Sequence, residues 1–233
     1  MPIRKDRSMN LLHFGLQRSG TNFLENTLNK NYKVRFLNSN EDRSSPLQKH
    51  CRFYKNKKVI PEPQYENKIV VETFEQFESL FEIKPSYYLI ISKDPYSWYV
   101  SYRSWAKKCT WPNVNHHYIE EYNLFYRTFI DFSHASEKLI FVRYIDLLTD
   151  PGNVLAMLAK KMKLEKRLFS KIILQNPRTV SQSTTFTVKK RTYYLAQEYL
   201  TEYNAEELHK LNALLDTEVC SFLGYDKVVH SIS

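Results

Sequence analysis

Apolar positions along this chain switch repeatedly between short unbroken runs, suited to strands, and three-to-four-residue spacings, suited to helices. Residues 10–15 read as a short buried strand, and from 20 to 30 Phe23, Leu24, Thr27 and Leu28 recur at helical spacing, so a helix is predicted to start at the loop between. Residues 33–37 form a candidate second strand. Phe74, Phe77, Leu80 and Phe81 suit an amphipathic helix. Residues 87–92 (YYLIIS) are the clearest strand, apolar on both faces as a central parallel strand is. Pro95 ends it, and Trp98, Val100, Tyr102 and Trp105 fall on a following helix. A helix over 118–134 precedes a strand at 139–143, a turn containing Asp146 and Asp150-Pro151, and a helix over 154–162. Beyond a Ser/Thr-rich stretch at 179–187, helices are predicted near 193–203 and 205–222. Strands alternating with helices predict a three-layer α/β/α fold with a mainly parallel central sheet.

One segment breaks the pattern. Residues 38–65 are polar and basic, carry Pro46, Pro61 and Pro63, and show little periodicity, so they read as a long irregular excursion of the kind that serves function or moves. A length of 233 residues suits one domain, taken as 1–233. Lysine and arginine exceed the acids by 9, which directs attention to anionic partners. Cys51, Cys109 and Cys220 are odd in number and lack CxxC spacing, which predicts reduced thiols rather than a disulfide framework or a zinc site. The first apolar stretch is too short to span a bilayer and no leader is recognisable, so a cytoplasmic protein without a transmembrane segment is expected.

Candidate chemistry concentrates at Gln17-Arg18-Ser19-Gly20-Thr21-Asn22. A strand that turns tightly into a helix brings free backbone N–H groups and the positive end of the helix dipole to one spot, where a phosphate binds. Gly20 permits close approach, Ser19 and Thr21 add hydroxyls, and Arg18 adds a planar cation. Gly15 and Gly20 have the separation of a Walker A loop, yet Thr21-Asn22 stands where Lys-[ST] is needed, which disfavours an ATPase or kinase. After the central strand, Lys93-Asp94-Pro95 with Ser101 eight positions on can clamp a second phosphate at the carboxyl edge of the sheet.

Together these segments resemble the sulfotransferases that use 3′-phosphoadenosine 5′-phosphosulfate (PAPS). Residues 14–24 (FGLQRSGTNFL) are similar to that family's 5′-phosphosulfate loop, 89–105 (LIISKDPYSWYVSYRSW) to its 3′-phosphate motif with Lys93 in place of the usual arginine, and 141–151 (FVRYIDLLTDP) to its "RYEDL…P" segment. The resemblance covers roughly 11–162. It implies a P-loop NTPase-like fold and sulfuryl transfer from PAPS to a hydroxyl or amine, with a small molecule or carbohydrate as acceptor and no metal. It further implies that Arg18, Ser19, Gly20, Thr21 and Asn22 hold the 5′ end and that Lys93 and Ser101 hold the 3′-phosphate, with Lys190 and Arg191 on a basic late loop folding over the cofactor. Lys49-His50 is similar to the Lys/His pairing of some members and supplies the expected catalytic base beside Arg18, while Glu41, Glu62, Glu72 and His116-His117 stay open. Rival readings are a nucleotide kinase or NTPase of related architecture, with Arg18 substituting for the missing lysine, and a basic nucleic-acid-binding protein, for which no recognisable module is present.

Overall fold

The computed structural model describes residues 8–39, 45, 47–55, 68–168 and 188–228. Glu41, Glu62, most of the 38–65 excursion and the 179–187 stretch lie outside them. Strands β1 (Met9–Phe14), β2 (Val34–Phe36), β5 (Tyr87–Ser92) and β6 (Leu139–Arg143) form one sheet in the order β2-β1-β5-β6, with every pair parallel. In register, Phe14 faces Ile90 and Ser92 faces Arg143, so β1, β5 and β6 deliver their carboxyl ends to the same edge.

Side chains alternate across this sheet. Leu12, Phe14, Tyr88 and Ile90 join one core cluster with Phe77 of α2 (Phe74–Ser79), Trp98 of α3 (Pro95–Lys108) and Phe129 of α4 (Tyr118–Ala135). Leu11, Leu89, Ile91 and Val142 join a second with Leu24 of α1 (Thr21–Asn31), Leu147 of α5 (Tyr144–Thr149) and Leu158 of α6 (Pro151–Met162). Helices therefore cover both faces, which is why these strands are apolar without alternation. The α/β architecture with a parallel central sheet agrees with the sequence pattern. Aromatic rings dominate the first core: Phe77 alone lies within 4.8 Å of Phe53, 5.1 Å of Phe132 and 5.2 Å of Tyr88, measured between ring centres.

Two expectations need correction. Inside the supposedly irregular excursion, β3 (Arg52–Tyr54) is a fully buried strand, paired in parallel with β4 (Lys68–Val70). Burial of Phe53 against Phe14 and Phe77 decides this locally, over a polar surrounding sequence. The expected turn around Asp146 is instead the helix α5, because Tyr144, Leu147 and Leu148 bury one helical face. The chain finishes with α7 (Val188–Leu195), a 3₁₀ turn (Glu198–Glu202), α8 (Ala205–Leu214) and α9 (Thr217–Leu223). Among the described residues no helix is long and apolar enough to cross a membrane.

Candidate functional site

At the carboxyl edge of the sheet the chain leaves β1 through Gly15 to Gly20 and enters α1. Two of these residues have positive φ, Arg18 at 72° and Gly20 at 103°. A non-glycine residue such as Arg18 occupies that region at a conformational cost, which is characteristic of a functional turn. Gly20 is required twice over, because a Cβ there would lie 2.5 Å from Tyr144 Cδ2 as well as straining the backbone. No side chain caps α1 and its first turn carries no acid, so the N-terminal N–H groups and the positive dipole end face outward.

The aromatic core holds this edge in place. Tyr122 and Tyr126, four apart on one face of α4, donate to the carbonyls of Lys93 (2.9 Å) and Ile91 (3.0 Å). Trp98 Nε1 donates to the Gln17 carbonyl at 2.9 Å. Asp94 caps α3 by accepting from Ser97 N at 2.9 Å, with Pro95 as the first helical residue.

A cavity of about 200 Å³ opens above the loop. Arg18, Gly20, Thr21 and Asn22 line it from below, Lys93 and Tyr144 from the strand ends, Lys190 and Tyr194 from α7, and His50 and Trp105 from the remaining sides. Three cations thus meet in one small space whose lining, among the described residues, contains no carboxylate. Lys93 is almost wholly buried, and burial, with Arg18 nearby, pulls its pKa below the ordinary value despite the Tyr194 hydroxyl. Lys190 is lowered for the same reason, by burial and by the charges of Lys93 and Arg18. The guanidinium of Arg18 lies 4.8 Å above the Trp105 ring, and its buried Nε has no hydrogen-bond partner among the described residues. The unpartnered Arg18 Nε and the buried Lys93 charge can be answered by an anion in this space.

The structure also brings Lys93 and Ser101 together. Lys93 Nζ donates to Ser101 Oγ at 2.7 Å and to the Tyr194 hydroxyl at 2.9 Å. Ser101 is held in turn, donating to the Ser97 carbonyl at 2.9 Å. Ser19 is buried in the floor of the loop and does not line the cavity.

The Lys49-His50 pair is divided by the structure. Lys49 turns away, donating to Asn22 Oδ1 (2.6 Å) and pairing with Glu25 (3.2 Å), which also meets buried His13 at 3.3 Å. His50 lines the cavity. Its Nδ1 is 2.6 Å from the Gly15 carbonyl, an obligate acceptor, so Nδ1 carries the proton and Nε2 presents a lone pair. Burial, reinforced by Lys49 and Arg52, lowers its pKa to about 3, so the ring is neutral at pH 7.

The other candidates lie elsewhere. His117 caps α4 in a capping box with Glu120, and His116 Nε2 bonds Glu121 at 3.0 Å. Glu72 is exposed at the start of α2. Arg191 donates to the Thr149 carbonyl and does not line the cavity. Of the two tryptophans on α3, Trp98 lies in the core, whereas Trp105 forms a cavity wall. Tyr144 and Tyr194 were not anticipated as site residues. Tyr144 had a readable signal, being the first residue past the carboxyl end of β6. Tyr194 had none, since it reaches Lys93 from 101 residues away. Compared with known proteins, the chain matches no family model and no curated protein.

Proposed function

We propose that this protein is a PAPS-dependent sulfotransferase on a P-loop NTPase-like domain, acting on a hydroxyl or amine of a small molecule or carbohydrate. The observation that carries the reading is the convergence of Arg18, Lys93 and Lys190 on a helix N-terminus with, among the described residues, no acidic residue in the lining. An ATP-type site places a lysine and a magnesium-binding hydroxyl in the loop itself, and here those places hold Thr21 and Asn22. Charge is instead distributed between the loop and the Lys93–Ser101 pair, as a ligand phosphorylated at both ends of a ribose requires. The resemblance in the loop and in the Lys93-Asp94-Pro95 segment points the same way.

Residues 18–22 and Lys190 would hold the 5′ end of the donor, and Lys93 and Ser101 its 3′-phosphate. Bound there, PAPS supplies an activated sulfuryl group. Transfer of this kind passes through a loose, in-line transition state, so fixed positive charge and positioning account for most of the rate. Arg18, on a strained and therefore fixed backbone, stabilises charge developing at the leaving oxygen. His50 Nε2 accepts the acceptor's proton. Burial is the main cause of its depressed pKa, with Lys49 and Arg52 adding to it, and negative charge bound beside the ring raises it. Three free cysteines, Cys51 and Cys220 of them buried, fit a reducing cytoplasm.

Calorimetric titration with adenosine 3′,5′-bisphosphate beside magnesium ATP tests the assignment. Tighter binding of the bisphosphate is expected; preference for magnesium ATP, or no binding of the bisphosphate, sinks it.

A further inference from the structure

We propose, resting on the bisphosphate reading above, that Tyr194 is a ligand-binding residue of this site. Its phenol hydroxyl completes the seat for the second phosphate around Lys93 and so selects a nucleotide phosphorylated twice over one phosphorylated once.

The need for such a residue follows from Lys93. An ammonium is a point charge and cannot offer the planar two-pronged fork of a guanidinium. Two of its N–H groups are aimed at Ser101 Oγ (2.7 Å) and the Tyr194 oxygen (2.9 Å). Ser101 directs its own proton to the Ser97 carbonyl and must turn it toward an incoming anion to join Lys93 there. Tyr194 accepts from Lys93 and is hydrogen-bonded to Ser101 as well, and its O–H can turn to donate to an anion beside that cation. An ammonium and a phenol at hydrogen-bond distance provide two directed donors for two oxygens of one phosphate, the role that a single arginine fills elsewhere.

Placement and acidity both suit the role. Tyr194 and Lys190 are one helical turn apart on α7, and both line the cavity. The Tyr194 ring meets Tyr144 edge-on at 5.4 Å and Tyr193 at 5.2 Å, which fixes the hydroxyl's direction. Burial alone would raise the phenol's pKa, yet the Lys93 charge and hydrogen bond outweigh it and hold the group below its ordinary value. A more acidic phenol is a stronger donor to a phosphate oxygen.

The full chain and its Tyr194→Phe variant are titrated with adenosine 3′,5′-bisphosphate and with adenosine 5′-monophosphate. Phenylalanine keeps the ring against Tyr144, and a thermal melt of each protein confirms that the fold is retained. The variant is expected to bind the bisphosphate about tenfold more weakly, equivalent to about 1.4 kcal/mol, with monophosphate affinity within about twofold of the parent. Equal losses for both ligands, or none for either, overturn the role of Tyr194 while leaving the donor reading in place. Failure of the parent protein to bind the bisphosphate overturns the donor reading and the proposal with it.

Discussion

Two clusters of charge lie on either side of His50, and the protein treats them in opposite ways. In the first, Arg52 and Glu121 are almost completely buried and pair at 2.9 Å. Tyr102 donates to the same carboxylate oxygen at 3.0 Å, His116 occupies the other, and a second Arg52 nitrogen donates to the His50 carbonyl at 2.6 Å. In the second, Arg18, Lys93 and Lys190 share a cavity lined by no acid among the described residues. Lys49 belongs with the first group, since Glu25 answers its charge. Burying a charge is costly unless it is paired, so the matched cluster, whose opposite charges answer one another inside the protein, serves to hold the chain in place. In the second, Arg18 and Lys93 meet no carboxylate at ion-pair distance among the described residues, so an anion bound beside them would lower the cost of their burial. The difference separates scaffold from site more sharply than the residue types do.

Removing one partner from the matched cluster should give the largest effect. Glu121→Ala strands the Arg52 guanidinium in the core, and a loss of about 3–5 kcal/mol of stability is expected, read from urea unfolding midpoints. A loss below about 1 kcal/mol would put the pair in the same class as a solvated surface bridge. Next in size, Arg18→Ala should leave the unfolding midpoint close to the parent's, because the guanidinium rests on a tryptophan face and is bound to no carboxylate. Turnover should nevertheless fall by about 10²–10³, the usual loss for one transition-state charge partner. Retained turnover would remove Arg18 from the chemistry.

How much of this was legible follows the same division. Strands β1, β5 and β6 were readable to within about a residue because burial on both faces leaves an unbroken apolar run. The loop at 17–22 and the Lys93–Ser101 spacing were readable because each needs only local geometry. Arg52–Tyr54 was not, since three residues carry too little periodicity and their strand forms through Phe14 and Phe77. The separation of Lys49 from His50 was equally hidden: neighbours in sequence, they diverge because Glu25 captures one and the Gly15 carbonyl the other. Tyr194 enters the site through a tertiary contact that no spacing encodes.

His50 sits between the two clusters and reports on both through pH. Its folded pKa of about 3 lies below the unbound 6.5, so the unfolded chain binds more protons between those values. Stability is therefore complete above pH 6.5 and falls as the pH drops toward 3, with a contribution of up to about 1.4 kcal/mol per pH unit. Buried His13 is lowered as well and adds to the slope, whereas Glu25, held at about 2, contributes only below its unfolded value of 4.5. Between pH 6.5 and 4.5, His50→Gln should flatten the slope without abolishing it. An unchanged slope in urea titrations would mean that His50 is not held neutral.

The smallest effect is also the most discriminating. Lys93 has its pKa lowered in the folded state, so below that value the ammonium is charged in both states and the folded protein carries the cost of confining it. The unfolded chain binds more protons from the lowered value up to the ordinary 10.5, so this cost is relieved only as the pH rises through that range. Lys93→Met removes the charge while keeping the buried stem. It gives up donors to two hydroxyls, Ser101 and Tyr194, and one favourable charge beside buried Asp94, whose carboxylate stays hydrogen-bonded to Ser97 N. Gain and loss nearly offset, and a change of no more than about 1 kcal/mol is expected without ligand, against the several lost by Glu121→Ala. With adenosine 3′,5′-bisphosphate present the ranking should separate further, as the parent's melting temperature rises and the variant's rises much less. A Lys93→Met protein as damaged as Glu121→Ala in the absence of any anion would show that Lys93 is a structural charge after all, and the contrast between the two clusters would collapse.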